Sequence, residues 1–237
     1  MRIGSADKKR RHEGALLANI AILGIAVLVY AALASPAAVT AMAQSPGFPV
    51  YRCNAPGQVS LQCAVSWEAS AVEPMLDILS REGVALTFAV SGEWAKANPR
   101  LILRMQNEGH EVAVMGFAPY EEGGAGFLLR DLQAAVDAVQ DITGESPSTY
   151  YCGSRDAAAS AAAGKKLGLD TVLCTADLDC AGADAELILK RLAACAGEGS
   201  IIGVQPTQSM LEALPEIVNY LKNMGLAIVP THKMLYN

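Results

Sequence analysis

No two cysteines in this 237-residue chain stand at C-x-x-C spacing, which sets aside zinc ribbons and thioredoxin-like redox motifs. Basic runs are missing after residue 43, where thirteen Lys and Arg stand against twenty-two Asp and Glu. A field of that sign repels nucleic acid and other polyanions, so no nucleic-acid partner is expected. The glycine cluster Gly123-Gly124-Ala125-Gly126 is not followed by the lysine and serine of a phosphate-binding loop, and it reads as a flexible surface loop.

What is present begins with a membrane signal. Lys8, Lys9, Arg10 and Arg11 precede the run Ala15–Ala34, in which Asn19 is the only strongly polar residue. Twenty helical residues rise about 30 Å, the thickness of a bilayer's apolar core. The pattern predicts a cytoplasmic basic segment over residues 1–14 and a transmembrane signal-anchor over 15–34. The expected location is the cell membrane, single-pass, with the membrane as a partner and the rest of the chain extracytoplasmic. Ala41-Met42-Ala43 resembles a signal-peptidase site and gives the alternative, secretion after cleavage near Ala43. Residues 35–57, with Pro36, Pro46, Pro49 and Pro56, read as a linker. Residues 58–237 read as one folded domain. The chain's six cysteines, 53, 63, 152, 174, 180 and 195, are expected as free thiols, although export would permit disulfides among the loops around 174, 180 and 195.

Within the domain, short apolar runs alternate with helical periodicity. Val59–Val65 and Val84–Val90 read as strands. Between them Val72, Met75, Leu76 and Leu79 form a helical stripe that Gly83 ends. Asn98-Pro99 reads as an N-cap and first-turn proline of a helix running to Gly109. Leu132, Ala135, Val136 and Val139 form a further stripe, closed by Gly144. Further strands are expected near Ser148–Tyr151, Thr171–Cys174, Ser200–Val204 and Leu226–Val229. Helices are expected at Asp156–Leu167, at Asp184–Ala196 and before Gly225. Such alternation implies a parallel sheet, open or closed into a barrel.

From Val59 to Tyr120 the order of strand, helix, strand, helix carries the texts ALTF, SGEW, ANP and EGHEV, and LPEIV and LKNMG follow later. In this the chain resembles the polysaccharide deacetylase domain (NodB homology, carbohydrate esterase family 4), over Val59 to about Leu235. The SWE and GEWAKANP texts look like the family's sporulation-type branch. The resemblance implies a distorted seven-stranded (β/α) barrel with its site at the C-terminal strand ends. It also implies that the site has been overwritten. The family's general base falls on Ala64, its metal ligands on Val65, Met115 and Pro119, and its acid on Gln205. The orienting arginine's motif falls on Tyr151-Cys152-Gly153-Ser154-Arg155. His110 aligns with a framework histidine.

A methyl group takes no proton, a thioether is a poor ligand for a borderline dication, and proline's side chain has no donor. An amide donates a hydrogen bond but does not exchange a proton near neutral pH. Active family members use zinc or a similar divalent metal; none is expected here. The expected function is that of a membrane-anchored, exported and catalytically inactive family member acting on or binding N-acetylated cell-wall glycan, with Trp67, Glu68, Tyr120, Tyr151 and Asp177 as the glycan-binding set. An envelope protein is the other expected partner. Two alternatives stand beside it: a hydrolase of carbon–nitrogen bonds rebuilt on Glu68, Asp177 or Asp179, and a structural or partner-binding module.

Overall fold

The computed structural model describes residues 47–237 apart from Glu68, Glu122 and Asn237, together with Ile22 and Leu23. The order is β1 (Gln58–Val65), α1 (Val72–Glu82), β2 (Thr87–Val90), α2 (Gly92–Ala97), α3 (Pro99–Asn107), β3 (Glu111–Val114), α4 (Ala125–Thr143), β4 (Thr149–Tyr151) and α5 (Ala157–Lys166). It continues with β5 (Asp170–Val172), β6 (Ala176–Asp177), α6 (Ala185–Cys195), β7 (Ile201–Val204), α7 (Gln208–Asn223), β8 (Ala227–Ile228) and α8 (Thr231–Leu235).

Local chemistry sets these limits. The buried stripe of α1 is Val72, Met75, Leu76 and Leu79, and Gly83 stops the helix at φ 65°, where a side chain would be strained. Asp156, Asp184 and Thr207 cap α5, α6 and α7 through their side chains. Asn98 does not cap in this way. Pro99 opens α3 as expected, but the Asn98 amide donates back to Trp94 O at 2.9 Å and so closes α2.

The sheet runs β5-β4-β3-β2-β1-β7-β6, with β8 added on β1, and every pairing between strands is parallel. Here the expected barrel needs correction. β5 and β6 end the seven-strand path and do not pair with each other, so the sheet is a curled, distorted half-barrel. Strands of three and two residues leave too few backbone groups to zip the edges together. Val50 bridges to Val172 and Arg52 to Ser200 beside this gap, so chain expected in the linker pairs with the sheet.

A second correction concerns the membrane. Among the described residues no helix is long and apolar enough to cross one. The longest described helix, α4, has nineteen residues and carries Arg130, Asp131, Asp137 and Asp141, whereas a span needs about twenty predominantly apolar residues. The span expected over 15–34 lies outside the described residues apart from Ile22 and Leu23. The structure therefore does not support the transmembrane helix, the membrane as partner or the single-pass location, and none is carried further.

The main core lies between the sheet and its helices, around Leu61, Phe88, Val90, Leu76, Ile102, Leu132, Ile188 and Leu214. Each such side chain contributes roughly 1.5–3 kcal/mol on burial. The concave face is different. Near the N-terminal ends of the strands, Thr231 of α8 enters a polar layer made by Ser60, Gln62, Thr87 and Glu111. Ser60 Oγ and Thr231 Oγ1 lie 2.7 Å apart, and Thr87 Oγ1 accepts from Thr231 N and donates to Glu111 Oε2, both at 2.7 Å. Ala89, Ala113 and Met115 form an apolar layer, packed by Ala64 and Tyr151.

Candidate functional site

A cleft of about 760 Å³ opens where the strands end, lined by Ala64, Met115, Pro119, Tyr151 and Gln205 among others. β1 delivers Ala64, β3 Met115, β4 Tyr151 and β7 Gln205, since each lies at or just beyond its strand's end. Trp67 and Tyr120 stand at the rim, 75% and 59% exposed. Their rings stack at 4.5 Å between centroids with 21° between planes. The Tyr120 hydroxyl is 2.9 Å from Ser66 Oγ, which fixes the ring from its far end.

The structure thus gathers most of the residues singled out in the sequence around one opening. Val65 is not among the cleft's walls; it is buried in the main core. Asp177 also lies outside the lining, while Asp179 joins it. Glu68 lies outside the described residues.

Gln205 is held on both sides of its amide. Oε1 accepts from Cys180 N at 2.8 Å, and Nε2 donates to Asp177 Oδ1 and Oδ2 at 2.9 and 3.1 Å. Asp177 Oδ1 also accepts from Asp179 N at 2.7 Å, a turn contact. Asp179 has φ 45°, and its carboxylate is 3.5 Å from Arg191 Nη1. Two of the three carboxylates proposed for a rebuilt hydrolase, Asp177 and Asp179, are therefore already engaged. Cysteine supplies no nucleophile: all six are free thiols, and burial pushes Cys152 and Cys174 up to about 12. A thiol so shifted stays protonated and unreactive near neutral pH. Burial also raises Tyr151, with Cys174 and Asp177 adding to the effect.

Arg155 lines the cleft, and its guanidinium is engaged by a carboxylate and by backbone carbonyls. Its guanidinium sits 2.8 Å from Asp131 Oδ2 and donates to the carbonyls of Ala118 and Pro119. Asp131 went unnoticed in the sequence, though a signal was there: a carboxylate interrupts the apolar stripe Leu128, Leu132, Ala135. His110 is a framework residue, accepting from Leu86 N at 3.0 Å and packing edge-on to Phe88.

Parallel strands curling around a cleft at their C-terminal ends, with no group of three metal-holding side chains among the described residues, define a deacetylase scaffold with a degenerate site. Residues 64–172 match the family model described as polysaccharide deacetylase, and over those residues the chain carries a domain of that family. An uncharacterised Bacillus subtilis protein, YlxY, is 25% identical over 187 residues, which make up 76% of this chain and 58% of that protein. The chain thus spans less than two thirds of that relative's length. Among solved structures, a carbohydrate esterase family 4 pseudoenzyme from Bacillus anthracis superposes with a TM-score of 0.74 at 23% identity, covering 81% of this chain and 69% of the other. A mutant of that pseudoenzyme with restored enzymatic activity gives 0.75. A peptidoglycan N-acetylglucosamine deacetylase gives 0.72 at 20% identity, covering 78% of this chain and 91% of the other.

The residues present do not fit the zinc of active relatives. An isopropyl group buried in the core, a thioether and a proline ring stand at the positions that the resemblance gives to the metal, and three protein ligands are the usual minimum for a catalytic zinc. Among the described residues no group of three His, Cys, Asp or Glu is placed to hold a metal ion.

Proposed function

We propose that the cleft binds N-acetylated glycan without hydrolysing it. The carrying observation is the Trp67–Tyr120 stack, two exposed aromatic rings held together at the rim of the cleft. An aromatic pair this exposed offers flat apolar faces for a sugar ring to stack on. Polar groups needed to orient a sugar stand beside it: Ser66, Ser154, Asp179 and Gln205 line the same cleft. The chemistry that would cleave an acetamide has no base, no acid and no metal ligand at the positions where its relatives keep them. The likeness to a family pseudoenzyme and to a peptidoglycan deacetylase supports both halves of this reading.

Calorimetric titration with chitotetraose and with N-acetylated peptidoglycan fragments tests it, alongside an acetate-release assay. Saturable binding with no acetate is the expected result. Trp67→Ala should weaken binding roughly 3–10-fold, the worth of one aromatic contact. Acetate release at an enzymatic rate, or no binding of either ligand, would reject the proposal.

A further inference from the structure

A buried ion pair stands directly behind the aromatic rim. The Asp131 side chain is 5% exposed and that of Arg155 13%, with Oδ2 and Nη1 2.8 Å apart. A carboxylate on the buried face of α4 is costly unless paired and hydrogen-bonded. The two charges meet that need by pairing with each other and by the hydrogen bonds of their remaining atoms, which clamp one short segment. Asp131 Oδ1 accepts from Ala118 N at 2.8 Å, and its backbone oxygen accepts from Phe117 N at 3.2 Å. Arg155 Nη2 donates to Ala118 O at 3.1 Å, and Nε to Pro119 O at 3.3 Å. The approach is so close that only glycine fits at 116. Its φ is +106°, and a Cβ there would stand 2.5 Å from Asp131 Oδ2 and 2.9 Å from Arg155 Nη1.

The next residue after the clamped segment is Tyr120, which meets Trp67 and Ser66. We propose that Asp131 and Arg155 are positioning residues, a buried clamp on residues 116–119 that sets Tyr120 against Trp67. The inference rests on reading the cleft as a glycan site, where a platform fixed in advance loses less freedom on binding. Arginine is required because its planar fork serves a carboxylate and two carbonyls at once, which a lysine ammonium on a flexible stem does not.

The free protein supplies the first readout. The near-ultraviolet circular dichroism difference between wild type and Tyr120→Leu defines the signature of the ring stack. Arg155→Met is expected to lose most of that signature and to weaken chitotetraose roughly tenfold. A variant that melts earlier but keeps the whole signature would overturn the clamp. If Arg155→Met does not fold, Arg155→Lys decides on the same signature, since it keeps the charge beside Asp131 but not both carbonyl bonds: loss supports the clamp and full retention rejects it. If wild type does not bind chitotetraose, the glycan reading falls, and the signature still judges the clamp.

Discussion

Gln205 Nε2 donates to both carboxylate oxygens of Asp177, at 2.9 and 3.1 Å. An amide in this place keeps a carboxylate pairing while removing any proton to exchange. Gln205→His should therefore place an imidazole beside the Asp177 charge. Its pKa is expected above the ordinary value near 6.5, by roughly one unit. Proton NMR titration checks this, and Asp177→Asn should cancel the rise. A histidine titrating at or below its ordinary value would show that the pairing does not survive the exchange.

Zinc affinity should return when donors do. Val65 is buried in the core, whereas Ala64, Met115 and Pro119 line the same cleft, so Ala64→Asp in its place, with Met115→His and Pro119→His, offers three ligands. Elemental analysis after dialysis against zinc is expected to find about one ion per rebuilt chain and far less in wild type. Stoichiometric zinc in wild type, lost on mutating a loop residue outside these positions, would reveal a donor set built elsewhere.

His110 gives a pH dependence whose sign can be fixed. Burial lowers its pKa in the folded state, with Glu108 opposing and Arg104 assisting the shift. Below about pH 6.5 the unfolded chain takes up this proton before the folded one does. The contribution is therefore fully present above that pH and is lost as pH falls through the folded-state value. Urea melts between about pH 5.5 and 7.5 should show stability falling on the acid side. His110→Gln should flatten that slope, and an unchanged slope would remove His110 as its source.

Thr231 holds the polar layer beneath the cleft together. Its Oγ1 is 2.7 Å from Ser60 Oγ and 3.1 Å from Thr87 Oγ1, all in buried surroundings. Thr231→Val keeps the shape and takes away the partner of Ser60 Oγ and of Gln62 Oε1, so a loss of roughly 1–3 kcal/mol is expected from chemical denaturation. Thr231→Ser should lose much less. Equal losses in the two variants would mean that packing, and not hydrogen bonding, sets the cost.

Much of the fold could be read directly. Helix stripes such as Val72, Met75, Leu76 and Leu79 carry their own period, and Gly83 and Gly144 mark helix ends because left-handed backbone favours glycine. The site was legible only where it was defined by loss. A methyl at 64 and a ring at 119 offer no donor in any conformation, and a thioether at 115 is a poor one for a borderline dication. The bonds that replaced the lost chemistry left little trace. Asn98 stands at the N-cap of α3 as expected, but its side-chain amide donates back to Trp94 O and closes the preceding helix.

The chain on its own settled the element types, the family and the missing donors, because periodicity, turn residues and side-chain chemistry are local properties. Tertiary structure alone decided that Asp131 meets Arg155, that Gln205 meets Asp177, that Thr231 reaches Ser60 and that the sheet stays open between β5 and β6. Each of these depends on how twisted strands of unequal length bring together residues far apart in the chain. No spacing along the backbone encodes that distance.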